Sequence, residues 1–198
     1  MMAKEIWKPG NMLYPLPVVM VSLADRNGKN NIITIAWAGT VCTSPPMVSI
    51  SVRPERYSYS ILKETGEFVV NLTTRELVRA ADYCGVKSGR DVDKFGELGL
   101  TPLQASGVSA PLIGESPVNI ECRVREIIPL GSHDLFLAQV EAVHADDRYM
   151  DENRRFCLEK AEPVVYSHGA YLACGEQLGT FGYSIRKKPG NGRKRKRT

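Results

Sequence analysis

Cysteine is sparse and unpaired in this sequence: Cys42, Cys84, Cys122, Cys157 and Cys174 are scattered, and none belongs to a Cys-x-x-Cys pair. An odd number without metal-ligand spacing argues against a disulfide framework and against a zinc site. Cys122 falls inside an alternating strand pattern, where a free thiol behaves as a small buried hydrophobe. Long apolar runs are also missing. The most apolar stretch, Leu16 to Ala24, has the length of a strand and falls far short of the roughly 20 residues a membrane span requires. The opening Met1-Met2-Ala3-Lys4-Glu5 carries an acid and leads into Trp7, Lys8, Pro9 and Gly10 without an apolar core. That is not the make-up of a secretory signal, and a cytoplasmic protein is expected. Nucleotide fingerprints are absent too. No Gly-x-Gly-x-x-Gly follows a strand, and Gly85-Val-Lys-Ser-Gly89 lacks the length and the Lys-Ser/Thr ending of a phosphate loop. A nucleotide cofactor, if bound, is held by another route.

The 198 residues, 43% of them hydrophobic, suffice for one well-packed core. The net charge of +4 hides an uneven distribution. Eight of the 26 basic residues lie between Arg186 and Thr198, which leaves 18 bases against 22 acids, a net of −4, in residues 1–185. The block Arg193-Lys194-Arg195-Lys196-Arg197, behind Pro189-Gly190-Asn191-Gly192, has nothing to bury. A folded domain over 1–185 and a disordered basic tail over 186–198 are expected. Such a tail either aids solubility or touches nucleic acid or an anionic surface.

Along the domain, β-branched runs at Leu16 to Ala24 and Asn31 to Ala38 flank Asp25-Arg26-Asn27-Gly28, the chemistry of a hairpin turn. Val48, Ile50 and Val52 alternate with Ser49, Ser51 and Arg53, a half-buried strand. Pro54 opens a helix-like segment that Gly66 stops, Glu67 to Leu72 returns to strand, and Thr74 to Tyr83 reads as a second short helix ending near Gly85. Gly85 to Pro117 is rich in Gly, Ser and Pro, an irregular excursion of a length usually tied to function. Strands follow at Val118 to Arg125, Asp134 to His144 and near Pro163 to Tyr166. Six or seven strands, arriving mainly as meanders with few short helices, argue for a mainly β protein: a closed or partly open antiparallel barrel.

The sharpest constellation is Ser51-Val52-Arg53-Pro54-Glu55-Arg56-Tyr57-Ser58, where a strand runs into a helix. A helix start offers free N–H groups, two arginines add forked donors, and two serines add hydroxyls, together a pocket for a phosphate monoester. Alone, this window is equally two surface arginines beside a helix cap. Upstream, Ala38-Gly39-Thr40-Val41-Cys42-Thr43-Ser44-Pro45-Pro46 is small and polar, a loop through which backbone groups could reach a flat heterocycle. The two segments bracket one strand, whose rise of about 3.3 Å per residue matches the reach from ring to phosphate in a mononucleotide.

These segments, in this order, resemble the flavin reductase-like proteins of the FMN-binding split β-barrel fold, including the flavoredoxin branch, a Greek-key-like antiparallel barrel. The resemblance runs from Pro15 to Lys187. It rests on Asn31-Ile-Ile-Thr34-Ile-Ala-Trp37, Thr40 to Ser44 with Pro45-Pro46, Arg53-Pro54-x-Arg56-Tyr57-Ser58 and Gly66-Glu-Phe-Val-Val-Asn71-Leu72. It continues through Cys84-Gly85, Ser88-Gly89-Arg90-Asp91-Val92-Asp93-Lys94-Phe95, Ser132-His133-Asp134 and Gly179-Thr-Phe-Gly182-Tyr-Ser184. The resemblance implies a homodimer with noncovalent FMN at or near the subunit interface. By carry-over, Thr40, Val41, Cys42 and Thr43 face the isoalloxazine. Ser51, Arg53, Arg56 and Ser58 hold the phosphate, with Tyr57 among them, while Asn71, Ser88, Gly89 and Lys94 line the rest. Lys94 would set a positive charge near the flavin pyrimidine and raise its potential. His133 stands where similar proteins have a Gly-Asp-His turn, from which Gly131-Ser132-His133 departs by one residue. It is the candidate for donating a proton or contacting nicotinamide.

The expected activity is an FMN-dependent oxidoreductase. Electrons from NAD(P)H or a redox protein would pass through FMN to free flavin, ferric iron or another protein. The alternatives are an FMN electron carrier without an NAD(P)H site and, in a different class, a nucleic-acid-binding protein acting through the tail. The acidic body and the lack of an aromatic–basic motif count against the last.

Overall fold

The structure, a computed structural model, describes residues 3–186. Apart from Arg186, the segment expected to form a basic tail lies outside the described residues.

The first apolar run divides at Val18 into β1 (Leu16–Pro17) and β2 (Val19–Ala24), and β2 pairs antiparallel with β3 (Asn30–Ile35). The turn between them closes as its chemistry implies. Gly28 takes φ 79°, and the Asp25 carboxylate accepts from the N–H of Asn27 (2.8 Å) and Lys29 (2.9 Å). The next segment departs from expectation. Residues 38–43, read above as a small polar loop, form β4 (Ala38–Thr43), which pairs with β5 (Pro46–Val52) across a bulge between Thr40 and Cys42. Thr-Val-Cys-Thr is β-forming sequence, and β5 offers it an open edge to pair with.

Helix α1 (Tyr57–Thr65) starts three residues after Pro54, because Pro54 to Arg56 form a turn in which Arg56 N–H bonds Arg53 O (3.1 Å). It stops at Gly66, left-handed at φ 65°, whose N–H caps Leu62 O. The chain continues through β6 (Glu67–Leu72), α2 (Val78–Val86), α3 (Lys94–Leu98), β7 (Pro102–Leu103) and β8 (Leu112–Ile113). The long hairpin of β9 (Val118–Pro129) and β10 (Asp134–Ala145) follows, and β11 (Val164–Ser167) and β12 (Ala170–Ala173) are the last strands among the described residues.

Seven strands make one antiparallel sheet in the order β3-β2-β6-β9-β10-β5-β4, and β1 joins β11 and β12 in a small second sheet. Within this sheet the expected meanders are three hairpins, β2–β3, β4–β5 and β9–β10, while β7–β8 and β11–β12 pair outside it. Only Ala36 and Trp37 separate the first two, whereas α1 lies between β5 and β6, and α2 and α3 between β6 and β9. The sheet curls until β3 approaches β5, enclosing Leu23, Ile33, Ile50, Phe68, Cys122 and Phe136. Burial there pushes the Cys122 thiol up to about 12.

A second apolar layer covers the outside of β2 and β3, where Met20 and Ile32 meet Leu77, Ala81, Cys84, Phe95 and Ile113. These two strands are buried on both faces, which is why Val19–Ala24 reads as continuous apolar sequence rather than as alternation.

The excursion after α2 divides by role. Residues 88–94 reach the site described below, whereas residues 104–113 are a belt held by buried polar groups of the sheet. Glu121, fully buried, accepts from Ser106 N–H (2.7 Å), Ser106 Oγ (2.7 Å) and Gly107 N–H (2.6 Å) and meets His144 Nε2 (2.5 Å). Glu67 accepts from Ser109 N–H and pairs with Arg123.

Candidate functional site

Three adjoining cavities follow the end of the barrel where β3, β5 and the start of α1 meet. The first, about 280 Å3, is lined by Arg53, Arg56, Tyr57, Ser58, Lys94 and the 87–90 segment. The second, about 160 Å3, shares Ile33, Arg53 and Arg56 with the first and adds Trp37, Ser51 and His133. The third, about 470 Å3, shares Trp37 and Ser51 and runs out between Gly39, Ser49 and the N-terminal residues 10–16. Together they form a trough along β5. Ser49 to Arg53 alone covers about 13 Å at about 3.3 Å per residue.

One end of the trough is strongly positive. Arg53, Arg56, Lys87, Arg90 and Lys94 line the first cavity against a single carboxylate, Glu55, which stands 3.5 Å from Arg53. The turn at Pro54 to Arg56 exposes the start of α1 here, and Arg56 at the N-cap makes no side-chain capping bond. Tyr57 is flanked by cations, with Lys29 5.8 Å and Arg90 5.7 Å from its ring centre. Lys94 is 4% exposed and donates to the carbonyls of Ile32 (2.6 Å) and Cys84 (2.8 Å). Burial lowers its pKa, with Cys84 opposing and Arg56 adding to the effect. An ammonium held beside two guanidiniums is a site for a multiply charged anion.

The middle of the trough is aromatic. The His133 ring lies on Trp37, centroids 4.3 Å apart, and Ser132 Oγ meets its Nδ1 at 2.9 Å. Burial, then Arg53, then Arg56, lower the His133 pKa against the opposing pull of Glu55, which favours the neutral ring.

The expected residues divide accordingly. Arg53, Arg56, Tyr57, Ser58, Ser88, Gly89 and Lys94 converge on the positive cavity, and Ser51 and His133 on the aromatic stretch. Lys94 lines the same cavity as Arg53 and Arg56, which Thr40 to Thr43 do not line. Thr40, Val41, Cys42 and Thr43 lie on the edge strand β4, outside the cavity walls, with Val41 51% exposed. Asn71 lies elsewhere. It is fully buried on the outer face of β6, donating to Met20 O (2.8 Å) and Ser22 Oγ (2.9 Å) and accepting from Ile113 N–H (3.0 Å) and Asn119 Nδ2 (2.7 Å). Its amide is spent on tying β2 to the belt.

Several wall residues were not named as site residues from the sequence, Trp37, Cys84, Lys87 and Arg90 among them. Trp37 and Arg90 stand in segments that carry the resemblance without a role of their own, and Lys87 stands in the irregular excursion after α2. Cys84 sits on the apolar face of α2. Only the Gly-rich context of 85–90 marked that stretch as a loop able to approach a ligand. Among the described residues no cluster of three or more His, Cys, Asp or Glu is placed to hold a metal. No helix there is long and apolar enough to cross a membrane.

Residues 11–175 match the flavin reductase like domain. A protein of Aeropyrum pernix is 31% identical over 156 residues, 78% of this chain, which spans 58% of that protein's length. Among solved structures, flavoredoxin of Desulfovibrio vulgaris (Miyazaki F) superposes with a TM-score of 0.86 at 33% identity, covering 93% of this chain and 100% of that one. Flavoredoxin of Methanosarcina acetivorans gives 0.82 at 27% identity, with coverage of 93% and 100%. A split barrel with a cationic trough at its open end, matched over most of its length, belongs to the flavin reductase-like family.

Proposed function

We propose that the protein is an FMN-dependent oxidoreductase of the flavin reductase or flavoredoxin type. The observation that carries this reading is the asymmetry of the trough. Among the described residues it has one concentrated cationic end, suited to a phosphate dianion, and continues into aromatic and backbone-lined space where those residues form no second cationic cluster for an adenylate half. The donor set fits FMN. Arg53, Arg56, Lys94, Ser58 and Ser88 would hold the phosphate, and Trp37, Ser51 and the β4 edge would border the ring.

FMN, when bound, supplies the hydride and electron chemistry. The protein's own residues bind and orient. Lys94 is fixed by two carbonyls before any ligand arrives, so little ordering remains on binding. His133, its pKa lowered and its ring packed against Trp37 at a 43° tilt, keeps Nε2 for a hydrogen bond to a nicotinamide or another donor. Hydride transfer depends on alignment of two rings more than on an acid or base, so this activity does not require a catalytic triad.

A homodimer belongs to the same reading. The β4 edge is exposed, and Ile6, Trp7, Leu13 and Phe181 stand in solvent on the terminal segments, an apolar surface that a second copy would cover. NAD(P)H or a redox protein is the proposed electron source.

Acid extraction of the purified protein followed by chromatography should release about one FMN per chain. FAD alone, or no flavin after reconstitution, would overturn the assignment. Stopped-flow mixing of holoprotein with NADH and with NADPH separates the two roles: bleaching by either supports the reductase, and bleaching by neither supports the carrier.

A further inference from the structure

Two further cavities lie away from the trough and share no lining residue with it. The larger, about 530 Å3, is walled by α2 and α3, and the smaller, about 160 Å3, by the turns around Arg148 and Lys160. Glu76 and Glu115 line both, so the two adjoin. Together they fall within the size range of small-molecule sites, about 300–1,000 Å3.

The compartments differ in chemistry. The smaller sets Arg75, Arg148 and Lys160 against Glu76, Glu115 and Glu162. Arg75 is taken by Glu162 (3.2 Å) and Arg148 by Asp146 (2.8 Å), whereas Lys160 and Glu76 form no ion pair with another described residue. Asp146, and more weakly Glu76, raise the Arg148 pKa, so Glu76 stands within electrostatic reach of that base. Thr101 fixes Glu115 through its N–H (3.1 Å) and Oγ1 (2.7 Å). The larger compartment is floored by Leu77, Ala80, Leu98 and Leu100, whose other sides belong to the second apolar layer. Glu97 lines this compartment only, its Oε2 held by the Tyr83 hydroxyl. Three carboxylates here face a single base, Arg79.

Both signs of charge at one end, an apolar floor, and a further carboxylate beyond it ask for a ligand with the same succession of groups. A simple amine would leave Lys160 unused. An apolar amino acid would leave Glu97 facing hydrocarbon, and an acidic one would press a second carboxylate against it. A long basic side chain has an apolar stem and a charged tip, and so matches the larger compartment from floor to rim.

We propose that the two cavities form a binding site for a free basic α-amino acid, arginine or lysine, separate from the flavin trough. Its carboxylate meets Lys160 and Arg148, and its α-ammonium meets Glu76 and Glu115. The stem lies along Leu77, Ala80 and Leu98, and the side-chain cation reaches Glu97. The site is independent of the FMN reading, since none of these residues touches the trough.

The test is calorimetric titration of the full-length holoprotein with L-arginine, L-lysine, L-norleucine, agmatine and L-glutamate. Norleucine keeps the head and stem but lacks the terminal cation, and agmatine lacks the carboxylate. Arginine or lysine should bind with a Kd below about 1 mM. Norleucine and agmatine should each bind at least about tenfold more weakly, the scale of one charge-assisted interaction, and glutamate should not bind. Glu97→Gln should weaken arginine about tenfold and leave norleucine unchanged, whereas Lys160→Ala should weaken arginine and leave agmatine unchanged. These comparisons are made between ligands on one variant, so a general loss of stability does not mimic them. Absence of binding by both basic amino acids would overturn the proposal. So would agmatine or norleucine matching arginine, or either variant weakening its paired ligands equally. A protein that binds arginine but no FMN would overturn the functional reading and leave this site standing.

Discussion

Glu121→Gln tests the argument that residues 104–113 are a structural belt rather than part of the site. The carboxylate is fully buried. Burial pushes its pKa up, but the Ser106 N–H, His144, the Ser106 hydroxyl and the Gly107 N–H more than offset this and hold it at about 2, against an ordinary 4.5. A depression of that size is worth about 3 kcal/mol, since one pH unit corresponds to about 1.4 kcal/mol. The folded-state pKa lies below the unfolded one, so this stability is fully present above pH 4.5 and is lost as pH falls toward 2. Glutamine keeps one acceptor but turns an NH2 toward the N–H of Ser106 or Gly107, which strands a buried donor at about 1–3 kcal/mol. The expected loss at pH 7 is about 2–4 kcal/mol, a fall in melting temperature of about 4–16 °C for a chain of this size. Urea unfolding and thermal melts at pH 7 and pH 3 would measure it, and the gap between wild type and variant should narrow at the lower pH. Flavin affinity should not change, because Glu121 lines none of the three cavities. A loss under about 1 kcal/mol, or a gap that stays constant between the two pH values, would refute the reasoning.

Two predictions concern the trough. Arg53→Ala with Arg56→Ala should weaken FMN about a hundredfold while leaving riboflavin unchanged; both side chains are exposed, so each sits near the lower end of the 1.5–3 kcal/mol of a charge-assisted bond. Equal loss of both flavins would place the phosphate elsewhere. The preference for FMN over riboflavin should also depend on Lys94 protonation. Burial lowers the Lys94 pKa and a bound dianion favours the charged form, so the preference is full below the lowered pKa and declines as pH rises through it. Titrations from neutral pH to pH 10 should trace that decline in the wild type and not in Lys94→Met, and a flat wild-type ratio would count against an ammonium at the anion end.

Much of the fold was legible because its signals are local. The period of two in Val48, Ile50 and Val52, the turn chemistry of Asp25 to Gly28 and the left-handed stop at Gly66 each depend on a few neighbouring residues. So does the pairing of Arg53 and Arg56 with Ser58, which share one strand-to-helix junction. Thr40 to Thr43 were misread because small polar residues suit a loop and an edge strand alike, and only the open side of β5 decides between them. Asn71 looked like a site residue because its segment matched in order. Its role as a tie between β2 and the belt became visible only when residues 42 positions apart came into contact.

The same distinction separates the two halves of the site. The sequence alone determined that a phosphate-sized cluster of donors stands where a strand meets a helix, because adjacent residues share that geometry in any fold that contains the junction. Only the tertiary structure decided that Lys94, Gly89 and Arg90 reach that cluster from the far side of α2, that Trp37 and His133 meet beside it, and that Asn31 sits behind Ser58. The physical reason is closure: curling the sheet brings β3 against α1 and carries the 87–94 segment over the open end, and no local pattern records which distant residues will be brought together.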